Sequence, residues 1–288
     1  EDDVGAGNYY EAQQVYKSIF YRYASQNKDA EAVEMLVEGG CTMLKHGQIT
    51  CGSELALLLT DHFIKFKKPV NDESLGVIFR LADAFPPGTD VLRAFLKSAV
   101  RWSSEHGEHK AGEPSLHRRL GLCQWALGDR TNAQRHLVRG KCPEELAALL
   151  IGWANEGLPH ERDLFLARCV LQCICVQYLL DANVVFEKYT SHFYPGLGGT
   201  PENCKPLPSP LLNFCRFLLL LCHRDAAPLF RVLCDKYQPS IQRDPSFQQY
   251  VDHIGKSYFN IQPVQAGLGG MFGDILKNLM GGGQDDDE

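Results

Sequence analysis

Two stretches of this chain are written on one frame. Gly7-Asn8-Tyr9-Tyr10-Glu11-Ala12-Gln13 and Gly128-Asp129-Arg130-Thr131-Asn132-Ala133-Gln134 both run Gly, then Asn or Asp, three variable residues, then Ala-Gln. Glycine takes a tight turn without steric cost, the Asn or Asp oxygen can cap the helix that follows, and the small alanine lets two helices approach closely. The frame predicts a repeated helical hairpin. One hairpin cannot bury its apolar face alone, so hairpins stack, and a stack presents grooves rather than a catalytic pocket. Protein binding is the first expectation.

Apolar periodicity carries the pattern along the chain, and the expected fold class is all-α, an α-solenoid of tetratricopeptide-like helical hairpins. Ala12, Val15, Tyr16, Ile19, Phe20 and Tyr23 share one helical face; Ala32, Met35, Leu36, Gly39 and Met43 repeat the spacing, with Gly39 and Gly40 admitting a close crossing. Leu55, Leu58, Leu59, His62, Phe63 and Phe66 give a third helix, ended by Pro69. Residues 75–85 and 91–102 form a pair across Pro86-Pro87-Gly88. The best single repeat is 116–127 with the helix to 139, where Leu120-Gly121 and Trp125 fall as in tetratricopeptide first helices. Helices follow at 144–155, 161–180 and 183–193, and the second, apolar nearly all round, should be buried on several sides. A Pro- and Gly-rich stretch at 193–209 interrupts the pattern before helices at 211–222, 227–237 and 247–259.

The polar residues 103–114 mark a joint, so the expected organisation is an N-terminal half, 1–107, a C-terminal half, 108–260, and a Gly-rich amphipathic and acidic tail, 261–288. In the tail Leu268, Met271, Phe272, Ile275, Leu276, Leu279 and Met280 make an apolar stripe. It suits folding back on the stack, a partner's groove or, least well, a membrane surface.

With 44% hydrophobic residues, the 288-residue chain has enough apolar sequence for a continuous core. A net charge of −6 argues against nucleic acid as a partner and makes any basic face local. Eleven cysteines, an odd number without regular spacing, fit a reducing cytosol. The most apolar stretch, 211–222, contains Arg216 and is well short of the roughly 20 residues of a spanning helix, so no membrane insertion is expected.

Catalytic chemistry has no signature. Cys169 and Cys173 lie one turn apart on a helix, where isolated thiols behave as small hydrophobes, and His106, His109 and His117 lack a metalloprotease frame. No phosphate loop or nucleophile elbow can be read. The expectation is a non-enzyme without metal or cofactor. Rival readings are a generic tetratricopeptide-like scaffold subunit and a helical hydrolase using His106 or His109.

Several blocks in order carry a resemblance: Gly7 to Ala12 with Arg22-Tyr23, Pro210-Leu211-Leu212-Asn213-Phe214, Tyr237-Gln238-Pro239-Ser240 with Arg243-Asp244-Pro245, and the tail ending Leu279-Met280-Gly281. Together they resemble the Golgi-to-ER traffic protein four family, the small solenoid subunit of the transmembrane-domain recognition complex, which usually carries Asp where Asn8 stands. The resemblance implies a cytosolic, non-catalytic adaptor in the post-translational targeting of tail-anchored membrane proteins. Its N-terminal half would contact the dimeric targeting ATPase. Its C-terminal half would hold a ubiquitin-like adaptor and, in animals, engage a large Bag-family scaffold in quality control. Some members project a β-hairpin near the C-terminal interface; the matching segment here, 193–209, is too rich in Pro and Gly to read as one.

The resemblance also implies an ATPase-influencing acid at Glu54 and a basic position at Lys17, on the exposed side of the first helix. Gln13 joins them as a candidate contact on a polar face. For the ubiquitin-like adaptor, Leu211, Phe214, Phe217 and Leu218 are the candidate groove floor, part of which should be core.

Overall fold

The computed structural model describes residues 8–197, 205–224 and 226–261. Among them the backbone forms thirteen α-helices, a short 3-10 helix at Pro159–Glu161 and no strand. The helices are α1 (Tyr9–Ser25), α2 (Asp29–Lys45), α3 (Ile49–Lys65), α4 (Asp72–Ala82), α5 (Asp90–His106), α6 (Pro114–Ala126) and α7 (Arg130–Arg139). There follow α8 (Pro143–Glu156), α9 (Arg162–Cys175), α10 (Leu179–Phe193), α11 (Pro210–Cys222), α12 (Ala227–Ile241) and α13 (Pro245–Phe259). The fold class is the one read from the repeats, all-α and solenoid-like. The tail stripe at 268–280 lies outside the described residues, as do residues 198–204 of the Pro- and Gly-rich stretch.

Five hairpin turns share one construction. Asn27, Gly47, Lys67, Gly128 and Gln177 each take positive φ, between 50° and 84°. In the first, Lys28 N–H donates to Tyr23 O at 3.0 Å and Asn27 N–H to Ala24 O at 3.2 Å; Gln48 and Gly47, Lys68 and Lys67, Asp129 and Gly128, and Tyr178 and Gln177 repeat the pair of bonds. This is the Schellman arrangement, which satisfies the last carbonyls of one helix while reversing the chain. At Gly128 the frame behaves as the sequence predicts, with Asn132 N–H donating to Asp129 Oδ1 at 3.2 Å. Asn8 differs: it precedes α1 but its side chain makes no capping bond. The continuous helix expected over 161–180 is broken where Gln177 turns left-handed and closes the helix ending at Cys175, a residue type that carries no glycine-like signal in the sequence.

The helices gather into two compact units, one ending at Ala133 and one starting at Gln134. In the first, α1 packs on α2, α2 on α3 and α4, α3 on α5, and α5 on α6. The crossings are close where glycine stands: a Cβ on Gly39 would lie 2.7 Å from the Tyr16 ring, and one on Gly40 2.7 Å from Leu81. Leu36, Leu55, Leu59, Phe63, Phe95 and Trp102 fill the core, each burial contributing roughly 1.5–3 kcal/mol. The polar stretch 103–114 lies inside this unit, tied down where Glu113 N–H donates to Ser103 Oγ at 2.9 Å.

In the second unit α9 is the central helix, packed against α8, α10, α11 and α13. Leu166, Ala167, Cys169, Val170, Leu171, Cys173, Ile174 and Cys175 are all buried, as its all-round apolar sequence requires. One buried carboxylate ties three segments together. Asp163, at the start of α9, accepts from Ser209 Oγ at 2.5 Å and from Arg243 Nη1 and Nη2 at 2.5 and 3.1 Å. Ser209 also caps α11, and Arg243 sits in the turn between α12 and α13.

Three stability outcomes follow from these devices, each read by urea titration. Lys67→Gly and Gln177→Gly should each stabilise by about 0.5–1 kcal/mol, because glycine relieves the left-handed penalty at a cost in unfolded-chain entropy. Gly128→Ala should lose about 1 kcal/mol in the same urea titration. Asp163→Asn, which keeps the shape and removes the charge, should destabilise the second unit by about 2–3 kcal/mol.

Candidate interaction surfaces

α1 lies against α3, and this brings the three N-terminal candidates together. Glu54 Oε2 accepts from Lys17 Nζ at 2.6 Å and from Gln13 Nε2 at 2.9 Å; Gln13 Nε2 also donates to Cys51 O at 3.2 Å. The Lys17 and Gln13 hydrogen bonds outweigh the small desolvation of Glu54 and hold its carboxyl below the usual range. The arrangement is therefore intact above the ordinary glutamate range and is lost only as pH falls through the lowered value. Gln13 is 1% exposed, which corrects its expected place on an open polar face. It positions Glu54 from below, while half of the Glu54 side chain, at 51% exposure, and part of Lys17, at 24%, face solvent.

The C-terminal candidates divide differently. Leu211, Phe214 and Leu218 are fully enclosed in the second unit, so they form core rather than groove floor, whereas Phe217, three residues after Phe214 and next to Leu218, remains 43% exposed. A helix buried against α9, α10 and α12 has little surface left over. Phe217 joins Leu220, Leu221, Leu229, Val232 and Tyr237 around a groove of about 310 Å³ between α11 and α12. Its lining includes Arg224 and Lys236 and no acid. Tyr237 links interior and groove, its ring 6.0 Å from that of Phe214 and 6.5 Å from that of Phe217. Leu229 and Val232 escaped the sequence reading. The signal was there: α12 turns Phe230 and Leu233 inward, so the apolar residues beside them exceed what one stripe can bury.

His117 and the Cys169 and Cys173 thiols sit in structural surroundings. His117 Nε2 lies 2.7 Å from Ala111 O, closing the loop before α6. Burial pushes the Cys169 thiol well up, with Cys173 beside it adding to the effect. Among the described residues no three His, Cys, Asp or Glu side chains are grouped to hold a metal.

A sequence model of the family described as Golgi to ER traffic protein 4 matches residues 26–280. The chain belongs to this family. It is 37% identical over 286 residues to the Golgi to ER traffic protein 4 homolog of Oryzias latipes, covering 99% of this chain and 87% of that one. Against the Homo sapiens homolog the identity is 35%, with 99% and 86% covered. The crystal structure of C. therm. Get4 matches with a TM-score of 0.82 at 32% identity, over 95% of this chain and 90% of that one.

In this member of the Golgi to ER traffic protein 4 family, Asn213, Arg243, Asp244 and Pro245, from the C-terminal blocks that carried the resemblance, are architectural. Asn213 Nδ2 donates to Leu207 O at 2.8 Å and its Oδ1 accepts from Leu207 N–H at 2.9 Å, pinning the chain that enters α11. Arg243 meets Asp163, Asp244 pairs with Arg168 and caps α13 through Ser246 N–H at 2.8 Å, and Pro245 opens that helix.

Phe214→Ala should cost about 3–5 kcal/mol, the usual loss for an enclosed phenylalanine. Phe217→Ala should cost under about 1 kcal/mol. Thermal melts of the two variants separate core from groove, and equal losses would contradict the assignment.

Proposed function

We propose that this family member is a non-enzymatic cytosolic adaptor in the targeting of tail-anchored membrane proteins to the endoplasmic reticulum, bridging the targeting ATPase and a ubiquitin-like adaptor. The observation that carries the reading is the family match over residues 26–280, with relatives matched over nearly the whole chain. The ATPase face would be the Lys17–Glu54 pair on α1 and α3, with Gln13 holding Glu54 from below. The ubiquitin-like adaptor would lay an apolar segment in the α11–α12 groove, with Phe217, Leu229 and Val232 as anchors. A Bag-family scaffold would use the same C-terminal unit. No cofactor enters this scheme.

The two surfaces call for different physics. A half-exposed ion pair acts through charge and is screened by salt; an apolar groove is not. Binding of the ATPase should weaken between low and high salt in calorimetry, while capture of the ubiquitin-like adaptor changes little. Lys17→Glu and Glu54→Lys each put like charges together, so single reversals mix local strain with lost contacts. The double exchange Lys17→Glu with Glu54→Lys restores the pair and should recover thermal stability without recovering ATPase binding. Recovery of both would assign the pair to folding alone. Val232→Asp should weaken adaptor capture at least about tenfold with the melting point unchanged, and unaltered capture would sink the groove assignment.

A further inference from the structure

Of the nine exposed large apolar side chains among the described residues, Phe217, Leu229 and Val232 line the one groove between α11 and α12. Such a concentration of apolar surface on one face is the usual mark of something that covers it. The groove lies close to where the described chain stops. α13 packs on α12, the Phe259 ring is stacked on that of Phe230 at 4.6 Å, and Ile261 N–H donates to Gly255 O at 3.0 Å. The chain thus leaves Ile261 beside α12, the helix that forms one wall of the groove.

We propose that residues 268–280 of this chain occupy the α11–α12 groove in cis. The sequence places Leu268, Phe272, Ile275 and Leu279 at the i, i+4, i+7, i+11 spacing of a groove-binding segment. Residues 262–267 reach up to about 20 Å, enough to round a helix about 10–12 Å across. Charge matches as well: residues 268–288 carry five acids and Lys277 as their one base, facing a groove whose lining has Arg224 and Lys236 and no acid. Tethering supplies an effective concentration in the millimolar range, so even a segment of modest affinity keeps the groove covered. Competition between this segment and the ubiquitin-like adaptor rests on the function proposed above; the cis closure itself does not.

The test uses the full chain and a labelled synthetic peptide of residues 264–284. Wild-type protein should bind the peptide at least about tenfold more weakly than the Phe272→Asp, Ile275→Asp double variant, whose own segment no longer seats. Adding Val232→Asp to that variant should remove the binding again, and melting of the helical units should stay unchanged throughout. Equal binding by wild type and double variant, or none by either, would overturn the proposal. So would peptide binding that ignores Val232→Asp, or wild-type dimers that dissociate in the double variant, which would give the groove to a second copy. Adaptor capture by wild type, measured separately, distinguishes failure of this inference from failure of the functional reading.

Discussion

At each of five hairpin turns, one residue with positive φ lets two backbone N–H groups reach back to carbonyls of the helix just ended. Everything downstream depends on that reversal. It closes one helix and starts the next within about three residues, so neighbouring helices are forced antiparallel and their apolar stripes face each other. Glycine meets the requirement freely at 47 and 128 and asparagine readily at 27; Lys67 and Gln177 meet it against their own preference. That the chain tolerates two strained turns says how strongly the packing behind them pulls: Phe63 and the α9 interior leave almost no solvent contact.

The second unit adds an electrostatic constraint to this packing. Asp163 is 6% exposed and would be costly to bury unpaired, so Ser209 and Arg243 must arrive together. Their arrival fixes the entry to α11 and the turn before α13 in one step, and the α11–α12 groove lies between those two points. The groove is thus a by-product of a satisfied charge and two caps.

Both candidate surfaces show the same division between what pattern reveals and what packing decides. Lys17 and Glu54 were singled out by the family resemblance, since charged residues on amphipathic helices are common, and nothing in their spacing says that they meet at 2.6 Å across two helices. Gln13 looks like a surface residue by type and is buried because Glu54 and Cys51 O satisfy its amide. On α11, four apolar candidates were equivalent in sequence. Three became core and one became surface, because α9, α10 and α12 close on the helix from three sides.

What the sequence alone determined is the all-α class, the hairpin repeat, the helix positions to within a few residues and the deep burial of α9, since each follows from local rules: 3.6-residue periodicity, turn chemistry and apolar width. The break at Gln177, the inward turn of Gln13 and Phe214, and the pairing of Asp163 with Arg243 were decided by tertiary structure. Two of those outcomes rest on partners far away in the chain, 41 residues from Gln13 to Glu54 and 80 from Asp163 to Arg243. No local periodicity carries that information, because burial and pairing depend on which faces meet once the hairpins have stacked.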